Sequence, residues 1–537
     1  MKKSKQTFMQ GVMVLMFSQL IIKIIGLIYK IYLTNKPGFG DTGNAIFSAG
    51  FQIYTLFLAI SSIGVPNAIA QLTSAKLAVG DSKGAYRIFK VAISIFGVVG
   101  FIGSLVLYLF AEEISCKYLG IVEAEFTITA LSPSIFIVAI SAVLRGYFNG
   151  YEKISVTANS QSIEQIIKTI LTVVTVEFFA IISRKNTMIM VAGAAIATTL
   201  STFFSFGYLY ISYIKNKKQI WQDLVTSTTE AKEGISKIIK NIVCLTVPMG
   251  ITALLSATSR TVDAFSIVNI ISKYMDLEEA KIQYGILTGK VEGLVVLPYS
   301  FNIAFATTLI PTISASRAKG EMEKANKRIN FSILATILIS LPCTAIFVFF
   351  AEPILKLLFP KAYLGKTMLQ ICSLSIVFVA ITQTIGGVLQ GLKEVRKTVI
   401  AISTGVIIKL ILTPILLQIK QLNINGAIIA TIISNIVTFG ISFYYLKKYI
   451  NTMFDYIKFI FKPIIATSIM ILISYFIYNV VLNENNNLNL IISLLIGIAA
   501  YFISIILLKT LSKEEICMLP YGNKLLKAEK SESLKPS

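Results

Sequence analysis

Long apolar segments constrain the fold of this chain more than any other feature. Fourteen can be counted, each long enough for a helix to cross the hydrocarbon core of a bilayer, which takes about 20 residues. Numbered 1 to 14, they span residues 8–33, 44–72, 86–110, 126–148, 155–183, 187–214, 238–268, 283–313, 329–351, 366–391, 396–418, 424–446, 459–482 and 488–508. A backbone inside lipid must satisfy its own hydrogen bonds. The pattern therefore predicts an all-α polytopic membrane protein with 14 transmembrane helices.

Composition excludes several classes of protein. The chain has 537 residues, of which 55% are hydrophobic and 14% charged, which is typical of a polytopic membrane protein. It has no histidine, and its five cysteines form no CxxC pair. This argues against a histidine-based zinc site, a Ser-His triad and a disulfide framework. We expect no catalytic residue, no metal and no cofactor. The apolar run at the N-terminus is too long for a cleavable signal peptide.

Lysine and arginine residues predict the orientation. The formal net charge is +22, a value that could also suggest nucleic-acid binding. However, 33 of the basic residues lie at the two termini and the even-to-odd connections, against 10 at the opposite connections. This is the positive-inside pattern. It predicts a multi-pass protein of the cytoplasmic membrane with both termini in the cytoplasm, surrounded by membrane lipids and with no nucleic-acid partner.

An internal repeat relates segments 1–6 to segments 7–12. The matches have a spacing of about 240 residues and are 111–112 with 351–352, 134–140 with 375–381, Gly150 with Gly391, 166–172 with 407–413, and 193–198 with 426–431. Because the period spans an even number of helices, the two halves share one topology. We predict an N-lobe (1–214), a cytoplasmic linker (215–237), a C-lobe (238–450), two extra helices (451–510) and a polar cytoplasmic tail (511–537), with a cleft between the pseudo-symmetric six-helix lobes.

Lysines on segment 1 break the rule for membrane helices. Gln19, Lys23, Gly26 and Lys30 share one helical face. An ammonium in hydrocarbon costs about 2.5–3.5 kcal/mol on insertion scales, so this face is expected to meet protein or water. An alternative for Lys30 is that its side chain extends to the lipid headgroups.

Segment 7 carries a second polar stripe, formed by Thr252, Ser256, Arg260 and Asp263. The repeat aligns segment 1 with segment 7 and brings Lys23 near Arg260, so the two stripes are expected to face each other across the cleft. The predicted substrate-binding residues are therefore Lys23, Lys30, Arg260, Asp263, Gln19 and Ser256.

Other charges remain inside the predicted helices. Lys168, Lys409, Glu164 and Glu292 are predicted to be coupling or structural residues, with Lys168 and Lys409 at equivalent positions of the repeat. Two alternatives are pairs within one helix, Glu164 with Lys168 and Arg260 with Asp263. Lys409 is also placed where it could pair with Asp263. Lys290 lies near the start of segment 8, so its side chain is expected to extend to the headgroups.

These segments resemble a known family, the stage V sporulation protein B and polysaccharide biosynthesis proteins of the multidrug/oligosaccharidyl-lipid/polysaccharide (MOP) flippase superfamily, which also includes murein lipid II flippases and MATE exporters. The resemblance covers about residues 8–510 and is most specific at four pieces, 23–26, 64–70, 260–263 and 297–311. It implies a fourteen-helix flippase with a cationic cavity lined by helices 1, 2, 7 and 8, and a groove for an isoprenoid tail at helices 13 and 14. The essential arginines on helix 1 of the lipid II flippases are matched here by Lys23 and Tyr29, with Lys30 beside it.

The sequence therefore predicts a flippase for a lipid-linked oligosaccharide carried on undecaprenyl diphosphate, with lipid II as the first candidate, acting by alternating access as a monomer. A flippase for another undecaprenyl-linked polysaccharide remains open. A MATE-type antiporter of cations would be expected to have a carboxylate-rich cavity. A membrane glycosyltransferase would need an acidic motif or an extramembrane domain, and the longest loop, about residues 215–237, is too short for one.

Overall fold

The computed structural model describes residues 8–225, 233–318, 321–449, 455–481, 487–512 and 515. Within these ranges all regular structure is helical and no strand occurs. This agrees with the all-α prediction, since an α-helix satisfies the backbone groups of a lipid-embedded segment internally. The predicted tail lies outside the described residues except for Leu511, Ser512 and Glu515.

The first half of the chain supplies eight helices. They are α1 (Phe8–Asn35), α2 (Gly40–Ser61), α3 (Val65–Ala78), α4 (Ser82–Leu109), α5 (Ala111–Glu113), α6 (Ala124–Gly150), α7 (Ile154–Ile182) and α8 (Thr187–Val225), with a π-helical stretch at Ile114–Leu119. Segment 2 is divided between α2 and α3 because Gly64 is in the left-handed region, with φ of +93°, and Pro66 opens the new helix. Segment 6 was predicted to end at 214, whereas α8 continues to Val225.

The second half supplies eleven helices. They are α9 (Ile235–Ile271), α10 (Leu277–Gly285), α11 (Glu292–Ala318), α12 (Met322–Phe349), α13 (Ala351–Leu358), α14 (Lys366–Ser373), α15 (Ser375–Gly391), α16 (Val395–Leu417), α17 (Asn425–Lys447), α18 (Lys462–Phe476) and α19 (Asn487–Leu507). A π-helical stretch at Ile286–Val291 joins α10 to α11, and two others, Ile457–Phe461 and Ile477–Val481, flank α18.

Every predicted segment lies in helical structure, but the number of spans is not established at 14. Within the described ranges, 11 helices are long and apolar enough to cross a membrane. The number rises to 12 if the parts of α9 on either side of a 46° bend form one span. The helices of segments 1 and 8 are not among them. The chain is thus a multi-pass, all-helical membrane protein, and the number of 14 transmembrane helices stays a prediction.

The helices pack in two groups, which we call the N-lobe and the C-lobe. In the N-lobe, α6 packs against α2, α3, α4 and α8, and α7 packs against α1 and α8. In the C-lobe, α15 packs against α11, α12 and α17, and α16 packs against α9 and α17. Helix α18 packs against α12 and α19. The two groups meet where α2, α3 and α4 contact α9, where α2 contacts α10, and where α1 contacts α11.

Equivalent glycines show that the repeat is present in the packing. A Cβ on Gly150 would lie 2.6 Å from Cβ of Thr73, so α6 and α3 approach closely there. A Cβ on Gly391 would lie 2.9 Å from Cβ of Ile313, where α15 meets α11. Segments 4 and 2 therefore pack as segments 10 and 8 do, each through a glycine that removes a steric barrier.

Candidate functional site

The lysines of α1 face the other lobe. Lys30 Nζ donates a hydrogen bond to the carbonyl oxygen of Thr288, at 3.2 Å, in the π-helical stretch before α11. Lys23 lies two turns earlier on the same face, has an exposed side chain and is within electrostatic range of Lys30 and Arg260. The alternative in which Lys30 extends to the headgroups is therefore wrong. Gln19 lies on α1, and its side chain is outside what the structure describes.

Arg260 of α9 meets the N-lobe across the same cleft. Its Nε donates to Oε1 of Gln52 on α2, at 3.2 Å, and the side chain is otherwise exposed. Ser256, one turn earlier, is also exposed, although its hydroxyl donates to the carbonyl oxygen of Thr252 at 2.9 Å. The predicted approach of Lys23 and Arg260 is present. Gln52 was not among the predicted residues, because nothing in the sequence pairs a glutamine on segment 2 with segment 7.

Asp263 turns away from the cleft and into the C-lobe. Its Oδ2 accepts a hydrogen bond from Lys409 Nζ of α16 at 2.5 Å, and both residues are buried. The predicted Asp263–Lys409 pair is confirmed, and the alternative pairing of Arg260 with Asp263 is wrong. With Glu292, Ser256 and Arg260, this pair lines a cavity of about 390 Å³. Arg260 therefore bonds across the cleft and Asp263 bonds within the C-lobe, although both residues line the same cavity.

The equivalent region of the N-lobe is arranged differently. Glu164 Oε2 accepts from Arg145 Nη2 at 2.8 Å, so the alternative pairing of Glu164 with Lys168 is wrong. Arg145 also donates to the hydroxyls of Ser160 and Ser205, at 3.1 and 2.9 Å. Arg145 lies near the predicted end of segment 4 and was not among the predicted site residues. Its partners come from α7 and α8, and no spacing along α6 identifies them.

The prediction that the Lys290 side chain extends to the headgroups is wrong. Its side chain is fully buried, and Nζ donates to Asp41 Oδ2 at 2.9 Å and to the carbonyl oxygen of Ala362 at 2.6 Å. It does not extend to the headgroups because Asp41, at the start of α2 in the other lobe, lies within hydrogen-bonding distance. Asp41 had been counted as a loop residue. The pair joins the two lobes.

Close helix packing surrounds this pair. A Cβ on Gly285 would lie 1.8 Å from the backbone oxygen of Asp41, and one on Gly289 would lie 2.5 Å from Cγ of Asn44. Both glycines lie in segment 8 and both neighbours on α2. Only residues without a side chain allow the two backbones this approach. Lys290–Asp41 is thus enclosed by a tight interface between the lobes.

Further contacts between the lobes lie at this end of the bundle. Asn269 Nδ2 donates to the carbonyl oxygen of Tyr118 at 2.7 Å, and Asn35 Nδ2 donates to that of Leu358 at 2.8 Å. Lys281 Nζ donates to Glu123 Oε1, also at 2.8 Å. We call the interface formed by Asn35, Asp41, Asn269, Lys281 and Lys290, with their partners, the closed end.

Glu177 of α7 accepts hydrogen bonds from Tyr32 of α1 and from Lys36, the residue directly after that helix. It therefore has partners within the N-lobe and takes no part in the cleft.

The Lys281–Glu123 contact lies outside the membrane-spanning helices and shifts both groups. Burial by itself raises the pKa of Glu123, but the hydrogen bond and the positive charge of Lys281 hold that pKa below its usual value. Burial likewise lowers the pKa of Lys281, and its hydrogen bonds to Glu123 and Glu278 outweigh this and raise the pKa above the ordinary lysine value. Both groups stay charged at neutral pH.

No group of three or more histidine, cysteine, aspartate or glutamate side chains is close enough to hold a metal ion in the described ranges. The two carboxylates of the C-lobe cavity, Asp263 and Glu292, lie in electrostatic range of each other and of Lys409. The cleft itself offers hydrogen-bond donors and positive charge from both lobes, which suits an anionic group.

Known proteins share both the sequence pattern and the fold. A family model described as polysaccharide biosynthesis protein matches residues 8–317, and a model described as MatE matches residues 289–415. The lipid II flippase MurJ of Bacillus subtilis (strain 168) is 26% identical over 454 residues, 82% of each chain. Stage V sporulation protein B of the same organism is 24% identical over 368 residues, 66% of this chain and 67% of that protein.

Solved structures agree on the fold. A structure of the lipid II flippase MurJ in an inward closed conformation superimposes with a TM-score of 0.67 at 20% identity, covering 92% of this chain and 98% of that one. An inward-facing MATE transporter of the MOP superfamily gives a TM-score of 0.62 at 15% identity, covering 81% and 97%. These relatives are flippases and transporters, not enzymes. The chain belongs to the polysaccharide biosynthesis protein family, within the MOP superfamily of membrane flippases and transporters.

Proposed function

We propose that this protein is a flippase that moves a lipid-linked oligosaccharide, the peptidoglycan precursor lipid II, across the cytoplasmic membrane. One observation carries the proposal. Lys23, Lys30 and Arg260 come together at the cleft from both lobes, and no carboxylate among the described residues forms an ion pair with any of the three. Glu292 lies within electrostatic range of Lys30 and Arg260, but no carboxylate in the described ranges binds these cations directly. Positive charge that is not held in a direct ion pair lowers the barrier for an anion such as a diphosphate in a low-dielectric region.

The present partners of these cations are replaceable. Lys30 donates to a backbone carbonyl and Arg260 donates to a neutral amide oxygen. Hydrogen bonds from a cation to a phosphate oxygen are roughly twice as strong as neutral ones. A diphosphate entering the cleft could therefore take over the donors of both lobes, which would connect binding of the headgroup to the relative position of the lobes.

Alternating access fits the interface at the closed end. The lobes are joined there by Lys290–Asp41 and by the glycine contacts of segment 8, while Lys23, Ser256 and Arg260 stay exposed. In our proposal the headgroup enters the cleft with the closed end shut and leaves when it opens. The charge asymmetry supports placing the closed end outside and both termini in the cytoplasm. Labelling of a cysteine at Asn186 but not at Lys83 in intact cells would test this orientation.

The identity to the lipid II flippase MurJ supports lipid II over other lipid-linked glycans. We propose that the protein works as a monomer, because the cleft is formed within one chain. The match to MatE and the carboxylates of the C-lobe cavity keep a cation antiporter as the competing function, and the experiment below is chosen to separate the two.

The test is flipping of lipid II by the full chain in proteoliposomes, together with growth of a strain depleted of its own lipid II flippase. We expect Lys23→Ala and Arg260→Ala each to reduce flipping by about tenfold or more, since a hydrogen bond to a charged group contributes about 1.5–3 kcal/mol. Lys83→Ala, which removes an exposed lysine at the start of α4, is the matched control and should flip normally.

Conservative changes sharpen the test. An arginine has two parallel donors and a lysine is a point charge, so Lys23→Arg should be tolerated better than Arg260→Lys. A cation antiporter predicts the opposite pattern: loss of positive charge at Lys23 or Arg260 would leave efflux of cationic dyes intact or increase it. Wild-type flipping rates in both alanine variants would remove the cationic cleft from the mechanism.

A further inference from the structure

Lys168 of α7 is surrounded by aromatic rings. Its Nζ lies 4.9 Å from the ring centroid of Phe51, 5.6 Å from that of Tyr29 and 5.9 Å from that of Phe47. Tyr29 and Phe47 are buried, and Lys168 is half-buried. The faces of aromatic rings attract a cation, so the rings stabilise a charged ammonium at this position.

The Lys168 ammonium has no carboxylate partner among the described residues. Within the described ranges Lys168 forms no ion pair, and Glu164, one turn away on α7, is bound by Arg145. The repeat makes the gap clear. Lys409, the equivalent lysine of the C-lobe, pairs with Asp263. If Lys23 is aligned with Arg260, the residue of the N-lobe that corresponds to Asp263 is Gly26. The N-lobe has the lysine without its counter-ion.

Packing alone does not account for a lysine here. Aromatic rings pack equally well around methionine or leucine, and a partly desolvated charge without a counter-ion is costly. Lys168 also lies near the charges of the cleft, because Tyr29 is within electrostatic range of all three lysines, Lys168, Lys30 and Lys23. A charge that is stabilised by ring faces, and not by a fixed carboxylate, stays available to an anion that binds and leaves.

We propose that Lys168 is a third lysine of the anion-binding site, which binds the diphosphate of the lipid headgroup together with Lys23 and Lys30 on the N-lobe side of the cleft. The proposal rests on the proposed function, because the ligand is the same diphosphate lipid. It also makes the two lobes unequal. The N-lobe side has three cations near Tyr29, none of them in a direct ion pair within the described ranges, whereas Lys409 on the C-lobe side is paired with Asp263. Glu292 lies within electrostatic range of Lys30 as well as of Arg260 and Lys409.

The experiment measures binding of undecaprenyl diphosphate to the purified full chain in detergent. We expect Lys168→Gln to weaken binding by about tenfold and Lys168→Arg to keep most of it, because the role depends on charge. The matched control is Lys397→Gln. Lys397 also lies over two aromatic rings, 5.2 Å from Tyr445 and 5.3 Å from Tyr449, but it lies at the start of α16 and does not line the C-lobe cavity. Its substitution should leave binding unchanged.

A second variant keeps Lys168 and supplies the missing counter-ion. A Cβ at Gly26 would lie 3.6 Å from Nε2 of Gln165, which is ordinary contact, so Gly26→Asp should fold. We expect it to weaken binding of undecaprenyl diphosphate, and we expect Gly26→Ala to bind normally. The Gly26→Asp variant also tests the proposal if the Lys168→Gln protein does not accumulate.

The outcomes are distinguishable. Binding by Lys168→Gln or Gly26→Asp as tight as that of the unchanged protein, with binding lost in Lys23→Ala, would overturn the proposal for Lys168 and leave the flippase function standing. Equal losses in Lys168→Gln and Lys397→Gln would overturn it as well, since a cleft-specific role predicts a difference. Failure of the unchanged protein to bind undecaprenyl diphosphate or to flip lipid II would instead count against the proposed function.

Discussion

Two buried aspartate–lysine pairs lie in different parts of this molecule, one inside a lobe and one between the lobes. Asp263–Lys409 lies inside the C-lobe, between α9 and α16, whereas Asp41–Lys290 lies between the lobes at the closed end. The N–O distances are similar, 2.5 and 2.9 Å, and all four side chains are largely buried. The difference lies in what happens when the lobes separate. The first pair stays together within one lobe, while the second must break in our proposed cycle.

This comparison shows that burial does not by itself define the role of an ion pair. A pair inside a lobe, when one partner is removed, leaves a charge that no rigid-body motion can return to water. A pair between lobes leaves a charge that opening of the interface can hydrate. The same substitution should therefore lower the stability of the fold in one case and shift a conformational equilibrium in the other.

The largest effect is expected for Lys409→Met, which leaves Asp263 buried without its partner. Breaking a buried pair on one side costs about 3–5 kcal/mol, so the unfolding temperature in detergent should fall and transport should be impaired. Adding Asp263→Leu should restore stability, because an apolar pair of similar volume is often as stable as an ionic one. Full activity of Lys409→Met at normal expression would contradict the prediction.

Asp41→Asn should act on conformation more than on stability. It removes the charge that neutralises Lys290, at a cost of at most about 3–5 kcal/mol, and opening the closed end relieves that cost. The measurement is labelling of Ala45→Cys, at a fully buried position of α2, in a chain whose five native cysteines are replaced. Labelling should increase with Asp41→Asn and stay unchanged with Asp263→Asn. Equal labelling in both variants would remove the distinction between the pairs.

Gly285→Ala should prevent the closed end from forming while leaving all four side chains of the two pairs unsubstituted. Its Cβ would lie 1.8 Å from the backbone oxygen of Asp41, and overpacking of this kind costs about 1–3 kcal/mol. We expect increased labelling of Ala45→Cys and reduced flipping. Gly97→Ala is the control, because nothing lies within 4 Å of a Cβ there. An unchanged closed end in Gly285→Ala would show that the interface is looser than its glycines indicate.

The smallest effect is expected for Glu123→Gln, at the rim of the closed end. Glu123 is partly exposed, so its bond to Lys281 should contribute less than about 1 kcal/mol. The pKa of Glu123 is lowered and that of Lys281 is raised when the end is closed. Their ion pair therefore makes its full contribution to closure at any pH between the ordinary pKa values of a glutamate and a lysine. It is lost as pH falls through the lowered carboxyl pKa or rises through the raised lysine pKa. Labelling of Ala45→Cys should therefore be constant between about pH 5 and 9. A steep change inside that window would point to another titrating group.

The helices, the repeat and the face of α1 that meets the cleft could be predicted from the sequence. These follow from local physics. A run of about 20 apolar residues must be helical in lipid, and Lys23 and Lys30 share a face through the period of the helix. The repeat also placed Arg260 near Lys23, since equivalent helices occupy equivalent positions. The number of membrane spans and the lobe boundaries stay predictions.

Most of the charge pairs could be assigned only from the tertiary structure, although Lys409 had been predicted from the sequence as one possible partner of Asp263. Spacing along a helix offered Glu164 to Lys168 and Asp263 to Arg260, yet Glu164 binds Arg145 of α6 and Asp263 binds Lys409 of α16. A cation on a neighbouring helix can be buried together with the carboxylate, and the low dielectric of the interior strengthens that pair. A cation on the same helix lies on whichever side of the molecule that face of the helix meets. Lys290 was expected at the headgroups because it lies near the start of segment 8. Its partner, Asp41, lies 249 residues away in sequence and reaches it only because the glycines of segment 8 let the lobes touch.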